Sequence, residues 1–177
     1  IDASTIETMN ISSVGTTANV IAGGTGAGGT DGASVRVNTN GTINVTGTQD
    51  LNLGVIAGTN AEVDASTFTG RLTVTGEAGN NIIIGGSAVD TIDGGTGQDT
   101  FTGGGAADVF TFAGVNNGPG CIPADGVFDI ITDFNTGGSD EIDFDVALTI
   151  ETAVAAAVAG TASINAEGIA AFHTSDD

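Results

Sequence analysis

From Gly76 to Thr111 a large apolar residue returns at every ninth position, at Ile83, Ile92, Phe101 and Phe110, while small and polar residues dominate between them. Written in units of nine, the stretch reads GEAGNNIII, GGSAVDTID, GGTGQDTFT and GGGAADVFT. Each unit opens on glycine and places an acid or amide sixth, at Asn81, Asp90, Asp99 and Asp108. The first six residues of a unit suit a tight turn in which glycine supplies backbone angles closed to other residues. The last three suit a short strand whose central side chain points to one face. The pattern therefore predicts turns stacked on turns in a two-sheet parallel β-roll, with the eighth position of each unit inside.

A looser form of the same beat extends upstream. Strand-like runs occur at Val35 to Asn38, Ile43 to Thr46, Leu51 to Ile56, Ala61 to Asp64, Leu72 to Thr75 and Ile82 to Ile84, with starts eight to eleven residues apart. Residues 1–25 also echo residues 63–87 at an offset of 62: Asp2-Ala3-Ser4-Thr5 matches Asp64-Ala65-Ser66-Thr67, and Asn19 matches Asn81. In that alignment Gly28 takes the place of Asp90, so the earlier copy keeps the turn and loses the acid. Asp31, in the glycine-rich segment 23–31, is a substitute cation ligand if that segment is not simply a flexible loop. Repeats on this scale predict an all-β, continuous parallel β-solenoid in which each coil buries its face against its neighbours.

After Thr111 the beat breaks. Residues 113–126, AGVNNGPGCIPADG, read as a surface loop. Phe128 to Phe134 and Asp140 to Phe144 alternate acids with apolar residues and read as closing strands. Residues 150–159, IETAVAAAVA, read as one short helix, with Glu151 in its first turn and Gly160 after its last. The division is then degenerate solenoid coils at 1–75, the strict roll at 76–111 and a capping flank at 112–177.

Composition narrows the partners. The 22 acidic residues against two basic ones give a formal charge of −20, so nucleic acid and anionic membrane surfaces, which need basic patches, are not expected to bind. Metal cations are the natural counterions. With no Trp or Tyr and few aromatics, the interior must be built from small and β-branched side chains, which suits thin stacked sheets. The single cysteine, Cys121, excludes an internal disulfide framework. No apolar run is long enough to span a bilayer, and the chain opens on Ile1 with no signal-peptide core, which predicts a piece of a longer protein.

The acids carry the candidate chemistry. Units alternate between the two sides of a roll, so the sixth positions that meet are Asn81 with Asp99 and Asp90 with Asp108. Each such pair brings carboxylate and backbone carbonyl oxygens together, as a hard, oxygen-seeking cation such as Ca²⁺ requires. The candidate metal-binding residues are Asn81; Gly85, Gly86, Ala88 and Asp90; Gly94, Gly95, Gly97 and Asp99; and Gly103, Gly104, Ala106 and Asp108. Like-charged turns repel one another when empty, so the roll is expected to be weakly ordered until calcium arrives.

The four units resemble the G-G-x-G-x-D-x-U-x repeat of the RTX family of bacterial proteins exported by type I secretion. The departures are Asn81 for the first aspartate, Glu77 for a glycine, and Ala88 and Ala106 at the fourth position, where a less extreme turn is expected. The flanks DIITDF (129–134) and GGSDEIDF (137–144) resemble those that follow RTX repeats, and the resemblance implies that Asp129 and Asp140 complete calcium sites at the end of the roll. Solvated edge acids are the alternative for those two. Related proteins continue past the point where this chain ends into a further strand and an uncleaved secretion signal.

Residues 63–76, VDASTFTGRLTVTG, look like phrases of RTX-type surface-layer proteins. That resemblance implies a secreted, structural cell-surface protein that self-associates into a lattice through calcium. The alternative is the RTX tail of an exported protease, lipase or polysaccharide-modifying enzyme, or of an adhesin. The sequence carries no H-E-x-x-H, no G-x-S-x-G and no G-x-x-x-x-G-K, and its lone histidine, His173, sits in a polar stretch, so no catalytic role is read for this piece.

Overall fold

The computed structural model describes residues 6–21, 35–112 and 129–144, together with two short strands at 161–162 and 172–173. The expected loop at 113–126 with Cys121, the glycine-rich segment 23–31 and the expected helix at 150–159 lie outside the described residues. Those described contain strands and turns and no helix.

Thirteen strands build the coil. They are β1 (Thr8–Ser13), β2 (Asn19–Val20), β3 (Val35–Arg36), β4 (Thr42–Gly47), β5 (Leu51–Ala57), β6 (Glu62–Asp64), β7 (Leu72–Gly76), β8 (Ile82–Ile84), β9 (Thr91–Asp93), β10 (Thr100–Thr102), β11 (Val109–Phe112), β12 (Ile130–Ile131) and β13 (Glu141–Phe144). One sheet runs β1-β4-β6-β8-β10-β12 and the other β2-β5-β7-β9-β11-β13, with β3 also on β5. Every one of these pairings is parallel. Parallel neighbours need a crossover connection, and here the crossover is a strand of the opposite sheet. Each coil is thus two strands and two turns. A separate antiparallel pair joins β14 (Thr161–Ala162) to β15 (Phe172–His173).

The core is filled by inward side chains from both sheets. In the first sheet Ile43, Val63, Ile83 and Phe101 stack in register between the partly buried Met9 and Ile131, and in the second Val74, Ile92 and Phe110 do, with the exposed Ile142 next in line. The four eighth-position residues, Ile83, Ile92, Phe101 and Phe110, are all fully buried. Each such burial stabilises by about 1.5–3 kcal/mol. The rings of Phe101 and Phe110 lie 6.0 Å apart and those of Phe101 and Phe112 6.1 Å apart, filling the coil where glycine-rich turns leave little else.

The upstream strands fall where the apolar runs predict them, and the roll begins well before the strict units. The echo at an offset of 62 has a less obvious outcome. It maps β1 onto β7 and β2 onto the start of β8, yet β1 and β8 belong to the first sheet and β7 and β2 to the second. The repeated sequence is therefore used half a coil out of phase. That is possible because both sheets ask for the same period-two alternation.

Candidate metal centre

The turns form two columns, one along each side of the coil. On the side that joins the second sheet to the first, Oδ1 of Asn81 accepts the N–H of Ala61 at 2.9 Å, Oδ1 of Asp99 accepts the N–H of Asn81 at 2.7 Å, and Oδ1 of Asp129 accepts the N–H of Asp99 at 2.7 Å. On the other side Oδ1 of Asp90 accepts from Leu72 at 2.7 Å, Oδ1 of Asp108 from Asp90 at 2.8 Å, and Oδ1 of Asp140 from Asp108 at 2.9 Å. The structure thus brings together the sixth-position neighbours and continues each column through Asp129 or Asp140. One oxygen of each acid ties its turn to the turn of the preceding coil. The contact runs through backbone N–H, not from carboxylate to carboxylate.

The second oxygen is the one with chemistry left. A Cβ on Gly94 would meet Oδ2 of Asp99, and one on Gly103 would meet Oδ2 of Asp108. A Cβ on Gly85 would meet both Oδ2 of Asp90 and the carbonyl oxygen of Gly103. The first glycine of the unit is needed because the carboxylate oxygen occupies the space its side chain would fill. Oδ2 of Asp90 accepts the N–H of Gly86 at 2.6 Å, whereas Oδ2 of Asp99 is buried with no hydrogen-bond partner. Leaving such a group unpaired costs about 1–3 kcal/mol.

Burial governs the titration. It pushes Asp99 up to about 7 and Asp90 up to about 6, in each case against backbone N–H donors that favour the charged form. Asp129 adds to the rise at Asp99, while Asp108 adds to it at Asp90 and Arg71 opposes it. Burial likewise raises Asp108 and Asp129. Buried carboxylates with raised values are ones whose negative charge lacks sufficient compensation.

This donor set suits a particular kind of ion. Among the described residues no three His, Cys, Asp or Glu side chains gather closely enough to hold a metal by themselves. The aspartate turns each offer one carboxylate, at Asp90 beside the Gly103 carbonyl, which is oxygen-only ligation suited to Ca²⁺, an ion that takes roughly six to eight oxygens and accepts carbonyls. A thiolate- or imidazole-seeking metal finds nothing here. When bound, the ion would supply the positive charge that the buried oxygens lack.

The fourth-position alanines correct one expectation. Ala106 holds φ at 78°, fully in the left-handed region that Gly79 (92°) and Gly97 (141°) occupy at the same place in their units. Its turn is therefore no less extreme than a glycine turn; the alanine is forced into it. Ala88 is not left-handed, and neither is Gly86 in the same unit, so that turn is the relaxed one. Among the other candidate glycines Gly95, at 80°, and Gly104, at 98°, are left-handed, whereas Gly85, Gly94 and Gly103 are not.

Sequence reasoning missed a second set of acids that close turns. Asp133 grips the N–H groups of Gly103 and Gly104 at 2.9 and 2.8 Å, and Asp93 accepts from Gly95 at 2.8 Å. Asp64 accepts from Ser66 at 2.9 Å, and hydrogen bonds from Ser66 hold its carboxyl below the usual range. For Asp64 and Asp93 the available signal was position, since each ends a strand; Asp133 lies two residues past β12 and offered none. Also missed was an amide ladder, in which Asn60 Nδ2 donates to Asn40 Oδ1 at 3.2 Å, the Asn80 N–H to Asn60 Oδ1 at 2.8 Å and the Gln98 N–H to Asn80 Oδ1 at 3.1 Å.

Comparison with curated proteins and with solved structures returned no match. A family model does match twice, at residues 75–110 and 84–117: it describes the RTX calcium-binding nonapeptide repeat in four copies. Such repeats bind calcium ions and are typical of extracellular proteins exported by type I secretion. The stretch whose carboxylates line the two columns, within residues 75–117, thus matches the RTX calcium-binding nonapeptide repeat.

Proposed function

We propose that the chain is the structural, calcium-binding part of a secreted bacterial surface-layer protein, in which calcium orders the coil and joins neighbouring copies into a lattice. The observation that carries this reading is the unbroken register between the upstream coils and the repeats. Strands β4, β6, β8 and β10 pair in one sheet and β5, β7, β9 and β11 in the other, without a boundary at Gly76. A tail appended to a catalytic domain for export and folding has no need of such coils ahead of its repeats. The acidic surface, with a formal charge of −20, adds that copies can approach one another closely only with cations between them.

In this reading Asp90, Asp99 and Asp108 bind calcium with the carbonyls of the glycine turns, and Asp129 and Asp140 close the two columns. Residues 1–75 are degenerate coils, 76–111 the calcium-dependent roll and 112–177 its cap. The test is a calcium titration of the whole chain followed by circular dichroism and light scattering together. The expected result is gain of β-structure with growth of large, chelator-reversible assemblies. Ordering without assembly would overturn the lattice and favour the tail of an exported enzyme or an adhesin.

A further inference from the structure

At the junction between the looser coils and the aspartate turns, one sixth position carries an amide. Asn81 is buried, and both ends of its side chain are fixed by what they touch. Because Oδ1 accepts the N–H of Ala61 at 2.9 Å, Nδ2 faces the other way, and it donates to the carbonyls of Gly94 at 3.1 Å and Gly79 at 3.3 Å. A Cβ on Gly76 would meet this Nδ2 and the Gly94 oxygen, just as one on Gly85 would meet Oδ2 of Asp90 and the Gly103 oxygen. The same place is therefore closed by an N–H···O bond at Asn81 and lined by two oxygens at Asp90. Even with the Gly86 N–H donating to Oδ2 of Asp90 at 2.6 Å, the two oxygens repel each other unless a proton or a cation lies between them; an amide and a carbonyl attract.

The turns before Asn81 on its side are closed by amides as well, through the ladder of Asn40, Asn60 and Asn80. Asn40 and Asn60 hold φ at 60° and 55°, a conformation asparagine tolerates better than most residues. The side chains that bond across these turns are uncharged amides, and Glu77, in the same turn as Asn81, receives bonds from Thr96 through its backbone carbonyl.

We propose that Asn81 takes the place of a calcium ion: its amide closes the first nonapeptide turn without metal, so the coils up to β8 form an ion-independent platform on which the turns from Asp90 onward order when calcium binds. This rests on the reading that the aspartate turns bind calcium. It adds that the first turn does not, and that ordering spreads in one direction.

The test uses the full chain, with hydrogen exchange in chelator and in calcium and a count of bound calcium by native mass spectrometry. In chelator the wild-type amides of Ala61 and Val63 stay protected while those of Asp108 and Val109 exchange. Asn81→Asp sets a second oxygen against the Gly94 and Gly79 carbonyls, so protection of Ala61 in chelator falls roughly tenfold to a hundredfold, calcium restores it, and the calcium count rises by one. Asp99→Asn, the reciprocal change, replaces the unpartnered Oδ2 with a donor, so the count falls by one and protection of Asn81 in chelator rises. If Asn81→Asp does not fold in calcium, Asp99→Asn carries the test. Unchanged counts in both variants, or uniform loss of wild-type protection in chelator, overturn the proposal while the calcium reading stands. A wild-type chain that takes up no calcium overturns both.

Discussion

The N–H of Asp108 donates to Oδ1 of Asp140 at 2.9 Å across 32 residues, repeating the bond from the N–H of Asp90 to Oδ1 of Asp108 at 2.8 Å across 18. The opposite column does likewise, with Asp99 and Asp129 bonded across 30 residues. The residues interposed after β11 thus leave the register of both columns intact. The acid at the head of each flanking motif sets this register, because its carboxylate finds the backbone N–H that the next repeat would have satisfied.

Removing that acid has a local cost. Asp140→Ala leaves the N–H groups of Asp108 and Asn135 without their acceptor, Asn135 having donated to Oδ2 at 2.6 Å. The expected loss is about 1–3 kcal/mol in denaturant unfolding with calcium present. Asp140→Asn keeps Oδ1 and should cost less. Hydrogen exchange should localise the change, with the Asp108 amide losing protection and that of Ala61 keeping it. Equal losses at both would show that the acid acts on the whole coil and not on its last turn.

Acid should partly replace calcium. Burial raises Asp99 to about 7 and Asp90 to about 6, and raises Asp108 and Asp129 too, whereas an unfolded aspartate titrates near about 3.9. Between these values the folded chain holds protons that the unfolded chain has released. By linkage, the stability of the ion-free protein falls as pH rises from about 4 through about 7. Melts in chelator should therefore be higher at about pH 5 than at about pH 7.5, and calcium binding near pH 6 should expel protons and strengthen as pH rises. An ion-free stability that increases over this window would contradict the buried, uncompensated carboxylates.

Ala106 holds a glycine's angle, φ 78°, with a side chain attached. A left-handed non-glycine residue costs about 1–2 kcal/mol, partly offset by the larger entropy glycine loses on folding. Ala106→Gly is expected to raise stability in calcium by about 0.5–1 kcal/mol. Ala88→Gly, where the backbone is not left-handed, should be neutral or destabilising. Paired thermal melts of the two variants decide it.

What could be read from the sequence was whatever repeats on a fixed period. Ile83, Ile92, Phe101 and Phe110 announce the interior because burial demands the same side chain at the same point of every coil. Asp99 and Asp108 announce the columns for the same reason. The role of Asp133 was not legible, because it grips Gly103 and Gly104 from a segment where the nine-residue beat has stopped. The amide ladder was hidden because an asparagine in a turn reads first as a residue that tolerates left-handed angles, and its side-chain bonds to the next coil follow only from the stacking. The left-handed alanine at 106 ran against expectation because the neighbouring turns impose their geometry on it.

Two glycines separate the need for space from the need for an angle. Gly94 has no left-handed φ, but a Cβ there would strike Oδ2 of Asp99 and Cζ of Phe101, an acid of the column and a ring of the core. Gly15 has φ of 123° with nothing within 4 Å of where its Cβ would stand. Gly15→Ala should cost about 1–2 kcal/mol through backbone strain alone and leave the calcium midpoint unchanged. Gly94→Ala should cost about 1–3 kcal/mol through overpacking and also shift the calcium midpoint to higher concentration, because Asp99 must move. Calcium titrations of the two variants, monitored by circular dichroism, provide the comparison. Equal midpoints would mean that the oxygen beside Gly94 takes no part in holding the ion.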